Sequence, residues 1–184
     1  MPKIILISGK ARSGKDTFAM YLKNEMSLHG KRVLTIKYGD ILKFVCKKYF
    51  NWNEEKDEVG RALLQKIGTD LCRYNNPDIW VNCVIEIVKG LQSNYDYVLI
   101  PDTRFPNEIK EWWQTDFDSV TVRIERMNED DSDYDNGLTE EQKQHPSETE
   151  LDDWIFNYHV YNKYVTDLQN AARGFFKGME ENVI

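Results

Sequence analysis

Nine consecutive residues, Gly9-Lys10-Ala11-Arg12-Ser13-Gly14-Lys15-Asp16-Thr17, constrain this chain more than any other feature. They follow a short apolar run at residues 3–8 and precede an amphipathic stretch at 15–28, which predicts a strand, a tight loop and a helix in direct succession. The two glycines admit backbone conformations closed to other residues, so successive N–H groups turn toward one anion and the helix N-terminus adds its dipole. Lys15 then reaches the β- and γ-phosphates of a bound nucleotide. The spacing G-x4-G-K is complete, but Asp16 stands where a hydroxyl residue is usual, with Thr17 one step later. Either Asp16 holds Mg²⁺, directly or through water, with Thr17 on the α-phosphate, or Thr17 simply begins the helix. Gly9, Arg12, Ser13, Gly14, Lys15, Asp16 and Thr17 are the residues expected to bind nucleotide.

Four further runs rich in β-branched and aromatic residues, at 32–38, 96–101, 119–125 and 156–161, read as strands. Helix-length stretches lie between and after them at 40–49, 58–74, 77–91, 107–114 and 163–176. The alternation predicts an α/β fold with a five-stranded parallel sheet flanked by helices and right-handed crossovers. Between the second and third strands the chain inserts more helix than one crossover requires, and this predicts a substrate-side helical region over roughly residues 40–92. With 184 residues, 41% of them hydrophobic, the chain has the material for one core, and a single domain over 1–184 is expected.

Charge narrows the partners. The net charge is −7, yet residues 127–153 carry eleven acids against the single base Lys143, so the remainder is net positive. Broad binding to nucleic acid is excluded, whereas a local basic pocket is allowed. The acidic stretch, a long polar connection, reads as a mobile lid or loop. The three cysteines, Cys46, Cys72 and Cys83, form no C-x-x-C and read as buried free thiols. No apolar run reaches the roughly 18 residues of a membrane span and no signal peptide is apparent, so a cytoplasmic protein is expected. The aromatic content permits a homodimer without requiring one.

A phosphate loop leaves the chemistry open among switch GTPases, motors and small-molecule kinases. The chain has no Asn-Lys-x-Asp segment for reading guanine. It does have Arg61, Gln65, Gly68, Thr69 and Arg73 at intervals of three and four on one expected helix. Asp40 and Lys43 open the preceding helix, and Asp102-Thr103-Arg104 ends the third strand at the sheet end where ligands of open α/β folds bind. These groups predict a second anion site near the loop.

The segments GKARSGKDT (9–17), LQKIGTDL (64–71) with Arg73 and Trp80, YVLIPDTR (97–104) with the following FPNE, and HPSETEL (145–151) together resemble the phage-type deoxynucleoside monophosphate kinases, within the wider P-loop nucleotide and nucleoside kinases. The resemblance implies a P-loop NTPase fold with a helical NMP-binding insertion and a lid. It also implies transfer of the ATP γ-phosphoryl to a (deoxy)nucleoside monophosphate, with ATP as donor and Mg²⁺ required. It assigns Lys15, Arg104, Asp102 and Arg126 to catalysis, and Asp16, Thr17 and Asp102, in its Walker-B-like place, to the metal. Asp40, Lys43, Arg61, Gln65, Thr69, Arg73, Trp80, Arg104 and His145 fall to the acceptor, although packing explains Trp80 equally well. Residues 127–153 depart from related lids in having no arginine, which brings Arg12, Arg104 and Arg126 forward for transition-state charge. The alternatives are a P-loop kinase for another phosphorylated acceptor, such as phosphomevalonate or dephospho-coenzyme A, and a catalytically silent nucleotide-binding regulator. On closure Lys143 and His145 are expected to turn inward, with the lid's carboxylates left in solvent.

Overall fold

The structure, a computed structural model, describes residues 1–181 apart from positions 56, 131, 133 and 165. Positions 131 and 133 belong to the acidic stretch, and the lid expectation for them lies outside the described residues. Five strands, β1 (Lys3–Ser8), β2 (Val33–Thr35), β3 (Tyr97–Thr103), β4 (Ser119–Arg126) and β5 (Tyr158–Asn162), form one sheet in the order β2-β3-β1-β4-β5. Every pairing is parallel.

β1 is central and buried on both faces, which is why Ile4-Ile5-Leu6-Ile7 reads as an unbroken apolar run. Successive side chains of a strand point to opposite faces. Ile5 and Ile7 therefore meet Phe18, Leu22 and Met26 of α1 (Lys15–Leu28) and Phe175 and Phe176 of α8 (Asp167–Glu180). Ile4 and Leu6 meet Val84 and Val88 of α4 (Ile79–Leu91), and Ile109 and Trp112 of α5 (Asn107–Trp113). Each fully buried side chain of this kind contributes about 1.5–3 kcal/mol. No described helix is long and apolar enough to cross a membrane.

Between β2 and α4 lie α2 (Tyr38–Tyr49), α3 (Glu58–Gln65) and a π-helical segment, Lys66–Arg73. Cys46, Trp52 and Ile67 form a small core of their own there, with Leu63 and Leu64 packed against it. The continuous helix expected over 58–74 is thus α-helical only to Gln65 and π-helical from Lys66 to Arg73. β2 stops at Thr35 and α2 starts at Tyr38, earlier than expected, because the Asp102 carboxylate accepts the Tyr38 and Gly39 amides. α8 begins only at Asp167, whose Oδ2 accepts the Lys163 and Tyr164 amides and holds them in a preceding turn. Of the cysteines only Cys46 is buried; Cys72 is half-buried and Cys83 exposed, so the expectation of buried thiols holds for one of the three.

The acidic stretch carries two short helices, α6 (Glu140–Lys143) and α7 (Pro146–Thr149). Thr139 and Gln142 close a reciprocal capping box at the start of α6. Leu151, just after α7, is buried in the core beneath the sheet and fixes this end of the stretch.

Candidate active site

At the C-terminal end of β1 the loop takes the shape that its glycines allow. Gly9 and Gly14 have φ of 151° and 103°, and a Cβ on Gly9 would collide with the Ile124 carbonyl and the Ser13 hydroxyl. At Gly14 a Cβ would lie 2.8 Å from Leu168 and 2.9 Å from Asn162, whose side-chain amide donates to the Ser13 carbonyl at 3.0 Å. The Ser13 hydroxyl is buried and, among the described residues, has no hydrogen-bond partner. A polar atom left waiting inside a loop of this shape fits a phosphate-binding role.

Lys15 is 8% exposed, and its ammonium donates to the Gly9 and Lys10 carbonyls, both at 2.6 Å. Burial, and secondarily the nearby Arg104 charge, lower its pKa to about 8. Asp16 is exposed and pairs with Lys37 at 2.5 Å, while Thr17 is exposed at the start of α1. Arg12 has φ 60° and is exposed. Arg126 donates to the Arg12 carbonyl at 3.3 Å and lies 3.9 Å over the Tyr134 ring, so it bridges the phosphate loop and the acidic stretch.

The end of β3 is organised by two buried carboxylates. Asp102 accepts the Tyr38 amide at 3.1 Å and the Gly39 amide at 2.8 Å, and burial raises its pKa. Both of its oxygens are engaged in pinning α2 to the sheet. Glu108, 1% exposed, accepts the Arg104 and Phe105 amides at 2.7 and 3.2 Å and pairs with Arg73 at 2.5 Å. Arg73 is further held 4.3 Å over the Phe105 ring. Burial raises the Glu108 pKa despite that partner. Arg73 therefore supports the loop that carries Arg104, and Arg104 itself projects toward the phosphate loop.

The remaining acceptor candidates scatter. Asp40 and Lys43 pair with each other at 2.8 Å on α2. Arg61 and Gln65 line a cleft between α3 and α6 with Asp57 and Gln142, and the Gln65 amide lies 3.4 Å from His145 Nε2. Thr69 is half-buried in the π segment. Trp80 is buried, and its indole N–H donates to the Gly68 carbonyl at 3.1 Å, as its packing role requires. His145 caps α7 by accepting the Ser147 amide on Nδ1 at 3.2 Å. Lys143 pairs with Glu140 at 2.8 Å.

Arg123, Asp152 and Lys10 are present at the site without having been anticipated among its binding or catalytic residues, and Glu148, which the HPSETEL segment offers either as a lining residue of the closed site or as part of a helix start, is present with them. Arg123, 7% exposed on β4, donates to the Ser8 hydroxyl at 3.2 Å and to Asp152 at 2.7 Å. Asp152 also pairs with Lys10 at 2.9 Å. The Glu148 carboxylate accepts the Ala11 amide at 2.7 Å and pairs with Arg104, whose Nη1 also donates to the Ser147 carbonyl at 3.0 Å. On closure the lid's carboxylates are expected in solvent; here two of them face the loop. The readable signal for Arg123 is its position as a charge in the middle of SVTVRIER, a strand buried on both faces.

No group of three or more His, Cys, Asp and Glu side chains among the described residues could cage a metal ion. The Asp16 carboxylate and Thr17 hydroxyl, both exposed at the start of α1, are hard oxygen donors of the kind Mg²⁺ takes. Arg104, Arg123, Lys10 and Lys15 converge on one loop within an acidic protein, as is needed to hold two phosphorylated groups in line and neutralise their oxygens.

The family model for deoxynucleotide monophosphate kinases matches residues 30–158, a range that excludes the phosphate loop, so match and loop are independent observations. No curated protein sequence matches significantly. Among solved structures the chain is similar to the Mycobacterium tuberculosis APS kinase CysC in complex with AMPPNP and APS, at 12% identity and a TM-score of 0.55 over 97% of this chain and 98% of that one. A cysteine-to-alanine mutant of the same APS kinase gives 12% identity and a TM-score of 0.52, over 97% of each chain. At that identity the likeness concerns the fold, which is that of P-loop kinases.

Proposed function

Because the chain belongs to the deoxynucleotide monophosphate kinase family and phosphorylates a nucleotide monophosphate, we propose that its donor is Mg²⁺-bound ATP and its acceptor a (deoxy)nucleoside monophosphate, which leaves as the diphosphate. The observation that carries this reading is the buried Lys15 inside the glycine-shaped loop, with Arg104 beside it at the end of β3. The acceptor oxygen attacks the γ-phosphorus, the bond to the β-γ bridging oxygen breaks, and ADP departs. The protein's share is position and charge. Loop amides and Lys15 hold the donor's phosphates, with Asp16 or Thr17 supplying any protein oxygen to Mg²⁺. Arg104 meets the acceptor phosphate, and Arg73 acts through Glu108 to hold the Arg104 loop. Asp102 keeps α2, with Asp40 and Lys43, at the sheet end, while Arg61 and Gln65 border the acceptor cleft.

In this reading the chain works as one kinase domain, with residues 40–92 on the acceptor and 127–153 as the covering segment. Its partners are small nucleotides and not nucleic acid, in agreement with the net charge of −7, and its compartment is the cytoplasm. A coupled assay of ADP release tests the reading over a panel of NMPs and dNMPs, with phosphomevalonate and dephospho-coenzyme A as further acceptors. Turnover with at least one nucleoside monophosphate is expected. Transfer only to a non-nucleotide acceptor, or to none, would overturn it.

A further inference from the structure

Glu148 accepts one amide of the phosphate loop through Oε2 and engages Arg104 through Oε1, and the residue is 9% exposed. Loop amides are the donors that cradle phosphate oxygens, and arginine is the side chain that pairs best with phosphate. A carboxylate that takes one of each holds two of the donors a phosphate needs. It cannot share them at contact distance, because two anions within about 4 Å repel strongly when partly shielded from water.

The rest of the segment is fixed independently. Leu151 is buried in the core, and Asp152, one helical turn after Glu148, is held by Lys10 and Arg123. Removing Glu148 from its place therefore needs a swing of its side chain and not the departure of α7.

We propose that Glu148 is a specificity-determining residue that occupies the Ala11 amide and Arg104 until a substrate phosphate displaces it, so that only a group with the charge of a phosphate gains the full site. A neutral or weakly anionic group cannot pull Arg104 from a carboxylate, whereas a phosphate offers the guanidinium a stronger, bidentate partner. Water and unphosphorylated nucleosides are thereby kept from a site that would otherwise be complete.

The proposal deepens the nucleotide-kinase reading and rests on it, but its test uses binding and does not depend on which acceptor is phosphorylated. Calorimetric titration of inorganic tripolyphosphate and of ATP into the wild type and Glu148→Gln measures the competition directly. The neutral amide keeps the shape and an acceptor for Ala11 but gives up the ion pair, and loss of one charge-assisted contact predicts about tenfold tighter binding of both ligands. Acceptor-free ATP hydrolysis is expected to rise in the same variant. Glu148→Asp, which keeps the charge but shortens the reach, is expected to fall between the two and supplies the measurement if Gln does not fold. Equal or weaker tripolyphosphate binding in a folded variant, with unchanged hydrolysis, would show that Glu148 only supports Arg104 and would overturn the proposal. Failure of the NMP panel with tighter tripolyphosphate binding in Glu148→Gln would instead count against the acceptor assignment alone.

Discussion

Lys15 illustrates how a binding side chain costs the free protein stability. Its burial holds the pKa near 8 against 10.5 for a free lysine, so between those values the unfolded chain binds more protons than the folded one and stability rises with pH. Below pH 8 the folded protein carries the whole cost of the buried ammonium, on the order of 3 kcal/mol. Lys15→Met is accordingly expected to raise the melting temperature at pH 7 while phosphoryl transfer falls by 10²–10³ or more, and calorimetry beside a rate assay checks both. In the wild type, kcat/KM for ATP should decline above about pH 8, where the free enzyme loses the charge, with the decline in kcat displaced to higher pH because bound phosphates favour the ammonium. For Arg104→Ala, acceptor affinity should drop at least tenfold in calorimetric titration, without full rescue by Lys. Arg73→Ala should instead lower stability by about 3–5 kcal/mol in urea unfolding, because Glu108 loses its buried partner. The contrast between these arginines was not readable from spacing: both sit in the resembling segments, and only the carboxylate of Glu108, far along the chain from Arg73, separates the one that supports from the one that projects.

At the level of elements, β3 works as a mast to which loops are tied. Its final residues receive α2 through Asp102, and the loop after it is tied to Arg73 by Glu108. Asp102→Ala would leave two α2 amides without acceptors at a partly buried helix start, a loss of about 1–3 kcal/mol per orphaned group at most, and hydrogen exchange should show it as faster exchange at the start of α2 with β1 unaffected. If Asp102 also served a metal, the Mg²⁺ concentration for half-maximal rate would rise in the same variant, which separates the two roles. The strands and most helices could be read from the sequence because their apolar runs are local and unambiguous, as in Ile4–Ile7. The starts of α2 and α8 could not, since they are set by Asp102 and Asp167 accepting backbone amides. The π turn at Lys66–Arg73 escaped for a related reason: residue types alone do not distinguish hydrogen bonds to the fourth from those to the fifth residue.

On the scale of the whole molecule, eleven acids within 27 residues look alike in the sequence, and only the fold reveals that Glu148 and Asp152 face the loop while the exposed Glu140 and Glu150 do not. The same long-range closure governs the loop. Its floor is the Ile124 carbonyl of β4, its flank is Asn162 of β5, and Gly14 rests against Leu168 of α8. During synthesis this has a consequence for timing. The phosphate loop leaves the ribosome well before its walls do, and contacts across some 150 residues cannot form until Asn162 and Leu168 have emerged. A nascent chain arrested before residue 162 emerges should ignore nucleotide, and cross-linking of an ATP analogue to arrested and released chains would reveal when capture begins. Until that moment the cell's abundant ATP has no hold on the half-made protein and cannot act as a template for its folding; afterwards ligand and fold stabilise one another.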